Sequence, residues 1–138
     1  MRRRASADDA RGRNAMLNLT NETRIFAYTG VADMRKGFNG LSGIVREEFQ
    51  SDPTDGSLFM FINRRRDRMK LLYFDGGGFW LYYRLLESGT FEDLKSEPGS
   101  SQLQMDATEL LMLLSGVSLI ASQQRRKRYS GNSPHQAA

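Results

Sequence analysis

Apolar and polar positions along this chain change period several times, and each change marks an element. Arg24-Ile25-Phe26-Ala27-Tyr28 is a short strand-forming run, and Thr29-Gly30 then turns the chain. Met34, Phe38, Leu41, Val45 and Phe49 follow at spacings of four, three, four and four. That spacing traces one face of a helix running from Asp33, whose carboxylate can cap it, to about Phe49. Gly37, Gly40 and Gly43 form a second stripe on the same segment. Each glycine costs a helix roughly 1 kcal/mol relative to alanine, so the stripe predicts close approach of another backbone as compensation.

Ser51-Asp52-Pro53-Thr54-Asp55-Gly56 has the composition of a loop. Three strands are predicted after it. Leu58 to Ile62 is almost wholly apolar, Arg68 to Phe74 mixes basic and apolar residues, and Phe79 to Leu86 is rich in aromatics. Their connections, Asn63 to Asp67 and Asp75 to Gly78, are too short for anything but antiparallel neighbours, which makes a β-meander. After the turn Glu87-Ser88-Gly89-Thr90, Phe91 opens a fourth, weaker strand, and Gln102 to Met105 supplies a fifth. Asp106-Ala107-Thr108-Glu109 has the pattern of a capping box. It precedes Leu110, Leu111, Leu113 and Leu114, with Gly116 placed to end the helix at its C′ position. The expected fold is α+β: an antiparallel sheet of four to five strands with two helices packed on it.

The ends differ from the middle. Residues 1–15 lack apolar periodicity and are expected to be a disordered extension, with Met16-Leu17 as an alternative start. Residues 16–120 read as one domain, and 121–138 as a disordered basic tail that buries too little to offset its ordering entropy. The first 15 residues carry +3 and the last 16 carry +4 of a net +4, so the middle is slightly acidic at −3. The high pI therefore belongs to the tails and is weak evidence for nucleic acid binding. The chain has no cysteine, which excludes disulfides and thiolate zinc sites and fits a cytoplasmic setting. No apolar run reaches the roughly 20 residues of a membrane span, and no apolar stretch follows the basic N-terminus as in a secretory signal.

Candidate chemistry concentrates in one segment. Arg64-Arg65-Arg66-Asp67-Arg68-Met69-Lys70 sets five positive charges and one negative at the tip of a predicted hairpin. Arginine forks suit phosphate oxygens, and clustered arginines release counterions on meeting a polyanion. Tyr73, Phe74, Phe79, Trp80, Tyr82 and Tyr83 follow, and they could either stack bases or pack a core; a small sheet needs such rings for its core. By alternation Phe79, Leu81, Tyr83 and Leu85 share one face of their strand, while Trp80, Tyr82, Arg84 and Leu86 share the other. The second face carries amphipathic rings and a charge, so Trp80, Tyr82 and Arg84 are candidates for a partner surface. Arg35 and Lys36, in the expected first turn of the 33–49 helix, either converge on an anion or answer a carboxylate such as Asp33.

Catalysis has little support. The single histidine, His135, lies in the tail, so a nucleophile would lack its orienting base. Asp33, Asp67, Asp75, Glu87, Glu92 and Asp93 each sit at a turn or helix end, where capping or pairing with arginine accounts for them. Gly76-Gly77-Gly78 lacks the Lys-Ser/Thr and the helix of a phosphate loop. No catalytic residue, metal site or cofactor is expected.

The segments DMRKGFNGL (Asp33 to Leu41), LFMFINRRRDRMKLLYFDGGGFWLYYRLLESGTF (Leu58 to Phe91) and ELLMLLSGV (Glu109 to Val117) occur in this order. Together they resemble the short TnpB-type accessory protein of insertion sequence 66 elements, over about residues 16–120. The resemblance implies a non-catalytic accessory role in transposition, beside a separate transposase. Its implied partners are the transposase and another accessory protein of the element; the basic hairpin, read on its own residues, adds the DNA of the element ends as an expected partner. Arg64, Arg65, Arg66, Arg68 and Lys70 would hold phosphates, with Arg35 and Lys36 assisting. The alternative is a protein adaptor with no DNA affinity of its own.

Overall fold

The computed structural model describes residues 19–115. The expectations placed on the two tails, on Met16-Leu17 and on Gly116 lie outside that range. Five strands and two helices follow in the order β1 (Ile25–Tyr28), α1 (Phe38–Glu47), β2 (Leu58–Ile62), β3 (Arg68–Phe74), β4 (Phe79–Leu85), β5 (Gln102–Met105) and α2 (Ala107–Leu114). The strands form one sheet ordered β4-β3-β2-β1-β5. The fold is α+β, as the periodicity implies.

The β2-β3-β4 meander is antiparallel throughout, as its short turns require. β5 is also antiparallel to its neighbour β1. One pair departs from the expectation of an all-antiparallel sheet: β1 runs parallel to β2, with α1 in the crossover between them. A helical crossover of this length is what a parallel pair needs. The segment from Phe91 also departs from expectation, because it forms no strand. Its backbone is instead bound to the β2–β3 turn, where the Phe91 N–H donates to Arg66 O at 2.7 Å. Phe91 and Leu94 are both buried. Their spacing of three serves to plug a sheet face, where a paired strand would alternate.

The sheet buries both faces. Phe59, Phe61 and Leu72 join Leu41, Val45 and Phe49 on the α1 side. Ile25, Ala27, Leu58, Met60, Met69 and Leu71 meet Phe91, Leu110 and Leu113 on the α2 side. Two buried faces explain why β2 is continuously apolar: it lies in the middle of the sheet with a layer on each side. Burying each such Phe or Leu contributes roughly 2 kcal/mol.

α1 begins four residues later than its apolar spacing suggests. Gly37 is its N-cap, without a side-chain cap bond, and the helix opens with Leu41 N–H donating to Gly37 O. Asp33 does not cap it. Residues 33–36 form a separate turn, closed by Lys36 N–H to Asp33 O at 3.0 Å. The Lys70 ammonium donates to the Met34 and Lys36 carbonyls of this segment at 2.8 Å each. The glycine stripe also lacks the predicted backbone neighbour. A Cβ at Gly37 or Gly43 would meet nothing within 4 Å, and the atoms nearest to one at Gly40 belong to the Lys36 side chain. The helix ends at Glu47 with Glu48 as its C-cap; beyond it Gln50 takes a left-handed φ of 52°, and Ser51 N–H reaches back to Val45 O. α2 has the predicted capping box: Asp106 accepts from Glu109 N–H at 2.8 Å, and Glu109 returns the bond to Asp106 N–H at 3.0 Å.

Candidate nucleic-acid interface

The β2–β3 turn is built around Asn63. Its Oδ1 accepts from the N–H groups of Asp67 and Arg68, at 3.1 and 3.0 Å. Its Nδ2 donates to Asp67 Oδ1 at 2.8 Å. Arg66 N–H closes the turn onto Asn63 O, with Arg66 itself at a left-handed φ of 58°. The one carboxylate among the arginines is thus engaged by an amide. That hydrogen bond is the main cause holding Asp67 below the usual carboxylate range, with the charges of Arg65 and Arg68 contributing less.

The arginines consequently play different parts. Arg64 and Arg65 are exposed, and neither makes a side-chain hydrogen bond or ion pair among the described residues. Arg66 is half-buried and acts as a clasp. Besides the Phe91 N–H bond to its carbonyl, its Nη1 donates to Phe91 O at 3.3 Å. Arg68 is exposed and donates from Nη1 to the Tyr83 hydroxyl at 2.9 Å. A cleft of about 220 Å³ adjoins the turn, lined by Arg64 and Arg66 but also by Glu92 and Asp93. Its mixed charge makes it a poorer seat for phosphate than the outer tip.

Lys70 lies away from that tip. It is 7% exposed, and its ammonium bridges the Met34 and Lys36 carbonyls while lying 4.7 Å from the centre of the Tyr83 ring. It tethers the 33–36 turn to the sheet and presents no open charge to a polyanion. Arg35 is also engaged. Its Nε and Nη2 form a fork with both Asp33 oxygens, the shortest contact being 2.8 Å. This pair answers the choice between an anion and a carboxylate in favour of Asp33. The Arg35 hydrogen bonds hold the Asp33 carboxyl down at about 2. Lys36 stays exposed, with its stem over Gly40.

The β3–β4 register fixes the aromatic neighbours. Lys70 lies opposite Tyr83, and Arg68 opposite Leu85. Both basic residues therefore share a face with Tyr83, and Trp80 lies on the other face, opposite Tyr73. Trp80, Tyr82 and Arg84 do share one face, as alternation predicts. Tyr82 packs partly into the core there, and the Trp80 ring stacks on it at 6.3 Å between centroids. Asp75 organises the β3–β4 turn by accepting from Gly77 and Gly78 N–H, and its second oxygen accepts from Trp80 Nε1 at 2.7 Å. These bonds hold its carboxyl below the ordinary range, the one from Gly77 foremost.

Two structural roles were hidden in the sequence. Asn63 carries the turn, signalled only by an Asn and an Asp four residues apart. Lys70 clamps a segment 34 to 36 residues away, for which local pattern gives no signal.

The architecture defines a class: a small α+β domain whose sheet carries a basic turn at one end and an aromatic strand at one edge. Within that class the chain belongs to the IS66 Orf2-like family, whose model matches residues 23–124. The family ties it to transposition of insertion sequences, in an accessory role. Two proteins of Sinorhizobium fredii (strain NBRC 101917 / NGR234) are similar to it, the uncharacterized proteins y4jC and y4hO. Each is 34% identical over 102 residues, which is 74% of this chain; the match covers 86% of y4jC and 87% of y4hO. No solved structure matches the chain. Among the described residues, no helix is long and apolar enough to cross a membrane.

Proposed function

We propose that this protein serves transposition by contacting nucleic acid through the β2–β3 turn, without catalysis of its own. Arg64 and Arg65 make the contact. Arg66 and Arg68 set the shape of the turn and add to its field, and Lys36 is a secondary contact. The observation that carries this reading is that Asp67 is engaged by Asn63, leaving Arg64 and Arg65 exposed and unpaired among the described residues. Unpaired, clustered arginines gain affinity for a polyanion by releasing its counterions. The DNA of the element ends is the substrate to test. Reversing both residues, Arg64→Glu and Arg65→Glu, should lower affinity for terminal-repeat DNA by at least about a hundredfold at low salt, read by fluorescence anisotropy. Unchanged binding would reject the assignment.

A second reading, an adaptor for the separate transposase with no DNA affinity of its own, draws on the exposure of Trp80 at the sheet edge. It expects co-purification with the transposase that is lost on Trp80→Ala while the fold is kept. Retained co-purification would remove that surface from the interface.

A further inference from the structure

The two edges of the sheet are built differently. β5 is four residues long and alternates glutamine with apolar side chains. β4 is seven residues long, pairs with β3 in unbroken register, and contains no proline or lysine. Natural sheets usually blunt such an edge with charge, proline or a bulge. β4 carries a single charge, Arg84, and exposes Trp80 at 38% and Tyr83 and Leu85 at 51% each.

Two bonds at the ends of the hairpin fix which backbone groups of β4 are unpaired among the described residues. Asp75 N–H donates to Gly78 O at one end of the hairpin, and Leu86 N–H donates to Asp67 O at the other. Hydrogen-bonded positions alternate along an antiparallel pair. The backbone groups of Trp80, Tyr82 and Arg84 therefore face β3, and those of Phe79, Leu81, Tyr83 and Leu85 face outward.

We propose that this outer edge pairs antiparallel with the same edge of a second copy, about a two-fold axis through Tyr82. This register uses the whole strand and sets odd residues opposite odd ones, as the outward groups require. Leu81 then faces Tyr83 of the second copy, and Phe79 faces its Leu85. Trp80 faces Arg84 of the second copy, at a position without backbone bonds, where side chains lie closest. That match is electrostatic. The Trp80 ring attracts a guanidinium, and the Asp75 carboxylate is already bonded to the tip of that ring. Arg84 is exposed and has no ion pair among the described residues. Sliding the register by two in either direction sets Arg84 opposite Gly78 or Tyr82. Parallel in-register pairing would stack Arg84 on Arg84. The pairing does not depend on Arg64 and Arg65, and stands or falls whether or not they meet DNA.

The chain has no cysteine, so single cysteines report the register directly. In the full-length protein, Tyr82→Cys sets two thiols opposite each other at a Cα separation of about 4.5 Å, and diamide should link them into a covalent dimer. Trp80→Cys alone should not link, because its two copies would lie about 14 Å apart. A mixture of Trp80→Cys and Arg84→Cys proteins should link. Sedimentation equilibrium of the unmodified protein should give twice the 15.7 kDa chain mass. Arg84→Glu should raise the dimer dissociation constant by about tenfold or more while leaving the far-ultraviolet spectrum unchanged. A 15.7 kDa species at every concentration would overturn the proposal. So would a dimer that Tyr82→Cys fails to link, or one that Arg84→Glu leaves intact.

Discussion

Two turns of this protein each hold arginine beside aspartate, and they use the charge in opposite ways. In the 33–36 turn, Asp33 accepts a two-pronged bond from Arg35, and the pair is close to neutral toward anything outside. In the 63–67 turn, Asp67 is taken by Asn63, and the neighbouring arginines keep their charge. The difference is one amide. It shows that the number of arginines in a segment says less about its availability to a polyanion than the partner chosen by the nearest carboxylate.

The first turn is held in place by Lys70, where a single substitution has the largest expected effect. Lys70→Met fills similar space but leaves the Met34 and Lys36 carbonyls without their donor. Two charge-assisted bonds are lost, partly offset by no longer burying an ammonium, so urea denaturation should show a loss of about 3 kcal/mol. An unchanged midpoint would mean the clamp is not formed in solution.

At the second turn, Asn63→Ala removes the acceptor for two backbone N–H groups and the donor to Asp67. The expected loss is about 1.5 kcal/mol, since the turn is partly open to water. The change should also release Asp67 to the arginines and weaken DNA binding. Stability lost with binding fully kept would separate the turn's shape from its charge.

The smallest effect is the most discriminating. Asp33 should titrate at about 2, below the ordinary 3.8, when its carboxyl is followed by NMR. A depressed carboxylate stabilises the fold above its unfolded value and loses that contribution as pH falls through the folded one. The 33–36 turn should therefore loosen between about pH 4 and about pH 2, and less sharply in high salt, because the pair is exposed. Arg35→Gln should return Asp33 toward 3.8. Arg65→Gln should leave Asp67 low, because Asn63 is the chief cause there. Equal responses at the two aspartates would erase the distinction.

What could be read from the sequence divides along the same line, between local and distant causes. The meander, the α2 capping box and the sharing of a face by Trp80, Tyr82 and Arg84 follow from short turns and a period of two. The parallel β1–β2 pair was not legible, since a long connection permits either direction. Neither was the late start of α1, after a turn that a lysine two strands away holds to the sheet. Phe91 has the composition of a strand residue, but its backbone partner is Arg66, a contact outside any local window. At the candidate site, the arginine cluster was plain, and its availability was not. Arg35 and Lys70 match Arg64 and Arg65 in charge but differ in what surrounds them.

The slope of log affinity against log salt for terminal-repeat DNA tests that contrast most directly. It should be compared among the unmodified protein, the Arg64→Gln/Arg65→Gln double variant and Arg35→Gln. Each phosphate contact contributes about 0.9 to the slope on duplex DNA, so the double variant should be shallower by about 1.8, and Arg35→Gln should match the unmodified protein. A double variant with an undiminished slope, or an Arg35→Gln slope reduced as much per arginine, would contradict the account.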